Sequence, residues 1–172
     1  MVFPSQSGSV PTRDATARHW PADRAALDAE IAYWIQQGPQ RAKWMLPATI
    51  DRTLARSPGL NIDPRALSVG SFQRAQVRRI GDPLFGDLAR LAAVLNATVA
   101  VIPVAAEFVG ADPATAVLTI ATAVIDPTDG DVLWFGIIAG TEPGAGSTAA
   151  IASAAQAFAR AFAGPSAGDI GQ

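Results

Sequence analysis

Val117-Leu118-Thr119-Ile120-Ala121-Thr122-Ala123-Val124-Ile125-Asp126-Pro127-Thr128-Asp129-Gly130-Asp131-Val132-Leu133-Trp134 consists of two β-rich runs around a Pro/Asp/Gly turn. β-Branched residues suit a pleated surface. In the turn, proline presets φ, aspartate hydrogen-bonds its own backbone, and glycine accepts positive φ. The spacing predicts strands over 115–126 and 131–140, paired as an antiparallel hairpin that turns at Pro127 to Gly130. A third strand is expected over 97–108. Pro103 lies inside it and has no N–H for a ladder, so this strand is expected to be at an edge or bulged there. Alternation is poor in the runs 98–108 and 132–139. Such near-continuous apolar character suits a sheet covered on at least part of both faces.

Helices are expected on either side. Downstream, Ser147 to Phe162 places Ile151, Ala155, Phe158 and Phe162 on one side, and its alanines permit close approach to a sheet. Upstream, Leu84, Leu88, Leu91 and Leu95 form one helical stripe. Asp82 is a good N-cap for it, Pro83 a good first-turn residue, and Asn96 a left-handed terminator. Pro47 is expected to open another helix, with Ile50 and Leu54 inward, ended by Ser57-Pro58-Gly59. Pro21 is expected in the first turn of the earliest helix, with Leu27, Ile31, Trp34 and Ile35 on one face and Gly38-Pro39 as the stop. Leu60 to Asp63 is a short strand candidate. Between Pro64 and Ile80, Ala66 to Val69 suits a strand, and Phe72 to Arg79 a helix or a loop. The fold class is therefore α/β (α+β): a small mixed sheet with an antiparallel hairpin, packed by helices. Residues 1–20 read as a flexible arm, 21–163 as a single domain, and 164–172 as a flexible tail of small residues.

The totals restrict function. With 172 residues, 49% of them apolar and 16% charged, the chain can bury a sizeable core. Thirteen basic and fifteen acidic residues give a formal charge of −2, too weak a field to gather nucleic acid or anionic membrane. Without cysteine there is no thiol catalysis, disulfide or thiolate metal site. No apolar run approaches the roughly 18 residues that span a bilayer. The first residues lack the basic and apolar regions of a signal peptide. The chain is therefore expected to be cytoplasmic, unless an upstream signal has been removed.

Few motifs carry chemistry. Gly144-Ala145-Gly146-Ser147-Thr148-Ala149 fits G-x-G-x-x-A between a strand and a helix, where free N–H groups can hold a phosphate. No later strand completes a βαβ unit, so a capped glycine turn is the plainer reading. His19 is the only histidine, and without a G-x-S-x-G elbow it reads as a solvated surface residue. Asp126, Asp129 and Asp131 offer oxygen ligands for calcium, but turn chemistry explains them with fewer assumptions. Arg74, Arg78 and Arg79 are the basic cluster and the candidate partner-binding residues. The four tryptophans, Trp20, Trp34, Trp44 and Trp134, suit core or interface anchors. No catalytic residue, cofactor or metal ligand is assigned.

Three linked pieces carry a family resemblance: Leu88 to Val101, a helix entering a strand; Val124 to Trp134, an aspartate, turn, Thr-x-Gly, strand and Trp hairpin; and the alanine-rich helix Ala149 to Phe162. Together, Ile80 to Phe162 resembles bacterial envelope lipoproteins with a TolB amino-terminal-like domain, of the curli secretion channel and penicillin-binding-protein activator types. The family's acylated cysteine is not present in this chain. The resemblance implies a non-enzymatic binding or assembly module of the cell envelope, periplasmic or outer-membrane-associated if an upstream signal was removed. Its partner would be another envelope protein or a second copy, with no nucleic acid, and with membrane contact only through a lipid anchor that this chain lacks. The alternative is a small-molecule or nucleotide-binding protein using the glycine turn at 144–148.

Overall fold

The computed structural model describes residues 1–12, 14–39, 42–73 and 77–163. Four helices, α1 (Arg24–Gln37), α2 (Pro47–Ala55), α3 (Leu84–Leu95) and α4 (Thr148–Ala163), accompany four strands, β1 (Arg18–Pro21), β2 (Ala100–Gly110), β3 (Val117–Ile125) and β4 (Val132–Pro143). The strands form one antiparallel sheet in the order β1-β2-β3-β4, a mixed α/β fold. The hairpin lies where its turn chemistry predicts. Asp126 N–H donates to the Asp131 carbonyl, Gly130 N–H donates to the Asp126 carbonyl, and Gly130 adopts φ +83°. The parallel component of the expected mixed sheet is reduced to one bridge, between Val2 and Val101.

Contacts divide the chain into two compact units: Met1–Ser9, Met45–Ala105 and Ala121–Gly136 in the first, and Val10–Trp44, Ala106–Ile120 and Ile137–Gln172 in the second. In the first unit, Leu84, Leu88 and Leu91 of α3 are buried with Ile50 of α2, Ile102 of β2 and Ile125 of β3. Leu95, at the end of the stripe, is only half-buried. Helix α3 begins one residue later than the proline rule suggests. Pro83 precedes the first turn, and Asp82 caps it by accepting from Gly86 N–H at 3.0 Å. Asn96 takes the left-handed position at φ 51°.

The flexible-arm reading of residues 1–20 is corrected within this unit. Met1, Val2, Phe3, Ser5 and Gln6 are buried. Phe3 N–H donates to the Val101 carbonyl, and Val101 N–H donates to the Met1 carbonyl. Pro103 would interrupt this ladder one step on. Its carbonyl still accepts from Gln6 N–H, and the donor that proline lacks is replaced by the Gln6 side chain, whose Nε2 donates to the Pro4 carbonyl at 2.7 Å. The same amide donates to the Pro64 carbonyl and accepts from Leu67 N–H, so its polar atoms are satisfied in the interior. Proline, serine and glycine concealed a buried segment, because the apolar signal is confined to Met1-Val2-Phe3. No strand forms over Leu60 to Asp63 or over Ala66 to Val69. A 3₁₀ turn over Pro58–Leu60 ends at Asn61, with φ 44°, and a second spans Val69–Gln73. Clustered prolines and glycines around these short apolar runs break any ladder.

In the second unit, α1 packs against α4, with Leu27, Ile31, Ile35, Ala154, Ala155 and Phe158 buried. Pro21 ends β1 instead of opening α1. Asp23 is the cap, accepting from Ala26 N–H at 3.1 Å, because an aspartate side chain can hold an amide that proline cannot. Ser147 caps α4 by accepting from Ala150 N–H. Gly140 permits the close approach its missing side chain allows: a Cβ there would lie 2.9 Å from the Ala154 nitrogen. Residues 164–172, expected to be a flexible tail, lie outside the described residues.

Candidate functional site

Strand β4 is last in the sheet order, so among the described residues no strand pairs with its outer side. Each end of that side is covered. At the start, Val132 N–H donates to the Arg78 carbonyl at 2.8 Å and Ile80 N–H donates to the Gly130 carbonyl at 2.9 Å. Arg79 Nε donates to the Asp129 carbonyl and lies 3.6 Å from Asp131 Oδ1. At the far end, Ser153 Oγ accepts from Thr141 N–H at 2.8 Å and from Glu142 N–H at 3.3 Å. Between these covers Leu133 is 57% exposed, Trp134 41% and Ile137 51%. The Trp134 indole lies over Gly136, in the space a Cβ would take. Phe135 stacks on Phe72 with ring centroids 5.4 Å apart, and Ile138 is buried. The strand is thus anchored by some side chains and presents others to solvent.

No charged residue lies between Asp131 and Glu142. The nearest charges flank the window: Arg78 beside its start and Glu142 at its end, both exposed and neither in an ion pair among the described residues. This outer edge exposes Leu133, Trp134 and Ile137 along a run without acidic, basic or histidine side chains. Leu133 and Ile137 were not singled out by the sequence reading. The signal available was a ten-residue charge-free run after the turn, which reads equally well as a buried strand.

The arginine cluster is only partly placed. Arg79 is tied to the hairpin, Arg78 is exposed beside β4, and Arg74 lies outside the described residues. His19 belongs to β1, not to a loose arm, and its Nδ1 is 2.8 Å from Glu107 Oε2. That carboxylate also accepts from Val10 N–H. Among the described residues no hydroxyl is hydrogen-bonded to this imidazole.

The glycine turn is engaged locally. Gly144 N–H donates to the Ala116 carbonyl, Ala145 N–H to the Pro113 carbonyl and Ser147 N–H to the Gly144 carbonyl. Those three amides are therefore committed, which weakens the turn as a phosphate cradle. The hairpin carboxylates are engaged too: Asp126 accepts from Thr128 N–H and Asp129 from Asp131 N–H. Among the described residues no group of three or more acidic or histidine side chains is placed to hold a metal ion.

Asp14, Asp51 and Asp112 are held below the ordinary carboxylate range by hydrogen bonds from Thr16, Arg65 and Thr115 respectively. These lie apart in surface turns and one ion pair and do not form a reactive cluster. A shallow cleft of 220 Å³ lined by Leu54, Ser57, Pro58, Asn61, Ile62 and Asp63 is smaller than ordinary ligand pockets. No helix among the described residues is long and apolar enough to cross a membrane. No protein-family model matches the chain, and neither does any curated protein or solved structure.

Proposed function

We propose that the chain is a non-enzymatic binding or assembly module acting through protein–protein contact, with the outer edge of β4 as its contact surface. The observation that supports this most is the combination of edge position, exposed Leu133, Trp134 and Ile137, and absence of charge between Asp131 and Glu142. Protein sheets ordinarily blunt an open edge with lysine, proline or a covering element. Here the covers stop at Val132 and resume at Thr141, and the strand between them retains the apolar groups that anchor interfaces. Arg78 remains the candidate rim residue from the basic cluster. The resemblance of Ile80 to Phe162 to TolB amino-terminal-like lipoproteins supports a setting in the bacterial envelope, periplasmic or outer-membrane-associated.

The test is affinity capture from a bacterial envelope extract with the native chain and with an Ile137→Lys variant verified as folded by circular dichroism. We expect the native chain to retain a partner or a second copy and the variant to lose it. Equal recovery by both removes β4 from the reading. Turnover of a nucleotide or ester by the purified chain, abolished by a point substitution, overturns the non-enzymatic assignment.

A further inference from the structure

We infer that the cleft at the C-terminal end of α2 binds a primary ammonium carried on a short aliphatic stem, the chemistry of a lysine side chain or a free alkylamine. The cleft lies wholly within residues 54–63 of the first unit and is independent of β4. Its floor is apolar: Leu54 and Ile62 are half-buried and rest on the core of that unit, and Pro58 lines it beside them. Its rim is polar, formed by Ser57, Asn61 and Asp63. Size restricts the guest. A non-hydrogen group takes roughly the 30 Å³ that a water takes in the liquid, so the cleft admits about seven such groups. Five carbons and a nitrogen fit in 220 Å³, whereas a nucleotide does not.

Charge restricts the head group. Asp63 is the ionisable residue of the rim, and Arg52 and Arg56 of the same helix end do not line the cleft. Oδ1 of Asp63 accepts from Arg65 N–H at 2.9 Å. The Arg65 guanidinium is held instead on both oxygens of Asp51, at 2.9 and 2.8 Å. Asp63 is exposed and has no cation paired with it among the described residues. The side chains of Ser57 and Asn61 have no hydrogen-bond partner among the described residues either. An ammonium has three donors and no acceptor, which suits a carboxylate, a hydroxyl and an amide oxygen together. The negative end of the α2 dipole favours a cation at this place. The aliphatic stem covers Leu54 and Ile62, as such stems do on apolar surface. A guanidinium binds best to two free carboxylate oxygens, and one oxygen of Asp63 is already engaged, so the compact ammonium is the better match.

The experiment titrates the nitrogen-15-labelled full chain with pentylammonium chloride and follows amide chemical shifts, with 1-pentanol as the uncharged stem of the same length. We expect saturable shifts centred on residues 54–63, with a dissociation constant on the order of millimolar, and no saturation with pentanol over the same range. Asp63→Asn should weaken binding about fivefold or more, while its amide oxygen still accepts from Arg65 N–H and keeps the turn. Asn61→Gly, which accepts the same positive φ, should weaken it about threefold. Nα-acetyl-lysine methylamide, titrated in parallel, separates the two sources. Affinity equal to that of pentylammonium assigns the cleft to a lysine of a partner chain, and affinity lost with the blocked backbone assigns it to a free amine. Shifts scattered over the surface, equal saturation by pentanol, or unchanged affinity in Asp63→Asn overturn the site. None of these outcomes bears on capture through Ile137.

Discussion

Strands β3 and β4 are the two arms of one hairpin and carry no charged residue between Val117 and Ile125 or between Val132 and Thr141, yet they have different environments. In β3 the side chains from Leu118 to Ala123 are all buried, including Thr119 and Thr122. In β4 most side chains are exposed or half-exposed, and only Ile138 and Gly140 are buried. The difference comes from neighbours. β3 has a strand on each side, whereas β4 has one. A β-rich apolar run therefore encodes membership of a sheet without encoding position within it.

The largest expected effect separates the two arms directly. Ile120→Ala in β3 should destabilise by about 2–5 kcal/mol, the cost of truncating a fully buried aliphatic side chain. Ile137→Ala in β4, measured at a concentration too low for self-association, should change stability by no more than about 0.5 kcal/mol. Paired denaturant melts check this. Equal losses would show that the two strands have the same environment.

A second comparison probes two glycines within β4. Gly140→Ala should cost about 1–3 kcal/mol, because the new methyl meets the backbone of Ala154, which can yield only by shifting α4. Gly136→Ala should cost less, below about 1 kcal/mol, because its obstacle is the indole of Trp134, a partly exposed side chain that can rotate away. Thermal melts of the two variants rank them, and the reverse order would contradict the packing of α4 on β4.

The last expected effect, a small one of opposite sign, lies inside β3. The Thr122 hydroxyl is fully buried and has no hydrogen-bond partner among the described residues. Thr122→Val keeps the shape and removes an unsatisfied polar group, so it should raise stability by about 1 kcal/mol. A loss of stability on chemical denaturation would mean that the hydroxyl has a partner.

Much of this was legible in the chain because it is local. The turn at Pro127 to Gly130, the stripe Leu84-Leu88-Leu91 and the left-handed Asn96 depend on residues within a few positions of one another. The buried arm was not legible. Its stability depends on Gln6 reaching Pro64 and Leu67, residues more than fifty positions away. Of the basic cluster, proximity in sequence gave Arg78 and Arg79 their common neighbourhood, but only pairing across fifty residues separated the tethered Arg79 from the exposed Arg78.

By itself, then, the sequence determined the four helices, the three long strands β2, β3 and β4, where the hairpin turns, and that no cysteine is at hand, whereas β1 lay within what read as an arm. Propensity, capping and side-chain inventory decide these within a short span. Tertiary structure alone decided that β4 is an edge, that its covers leave Leu133 to Gly140 open, and that Gly144, Ala145 and Ser147 spend their amides on nearby carbonyls. Pairing and burial depend on which distant segments meet, and one-dimensional hydrophobic pattern does not specify that choice.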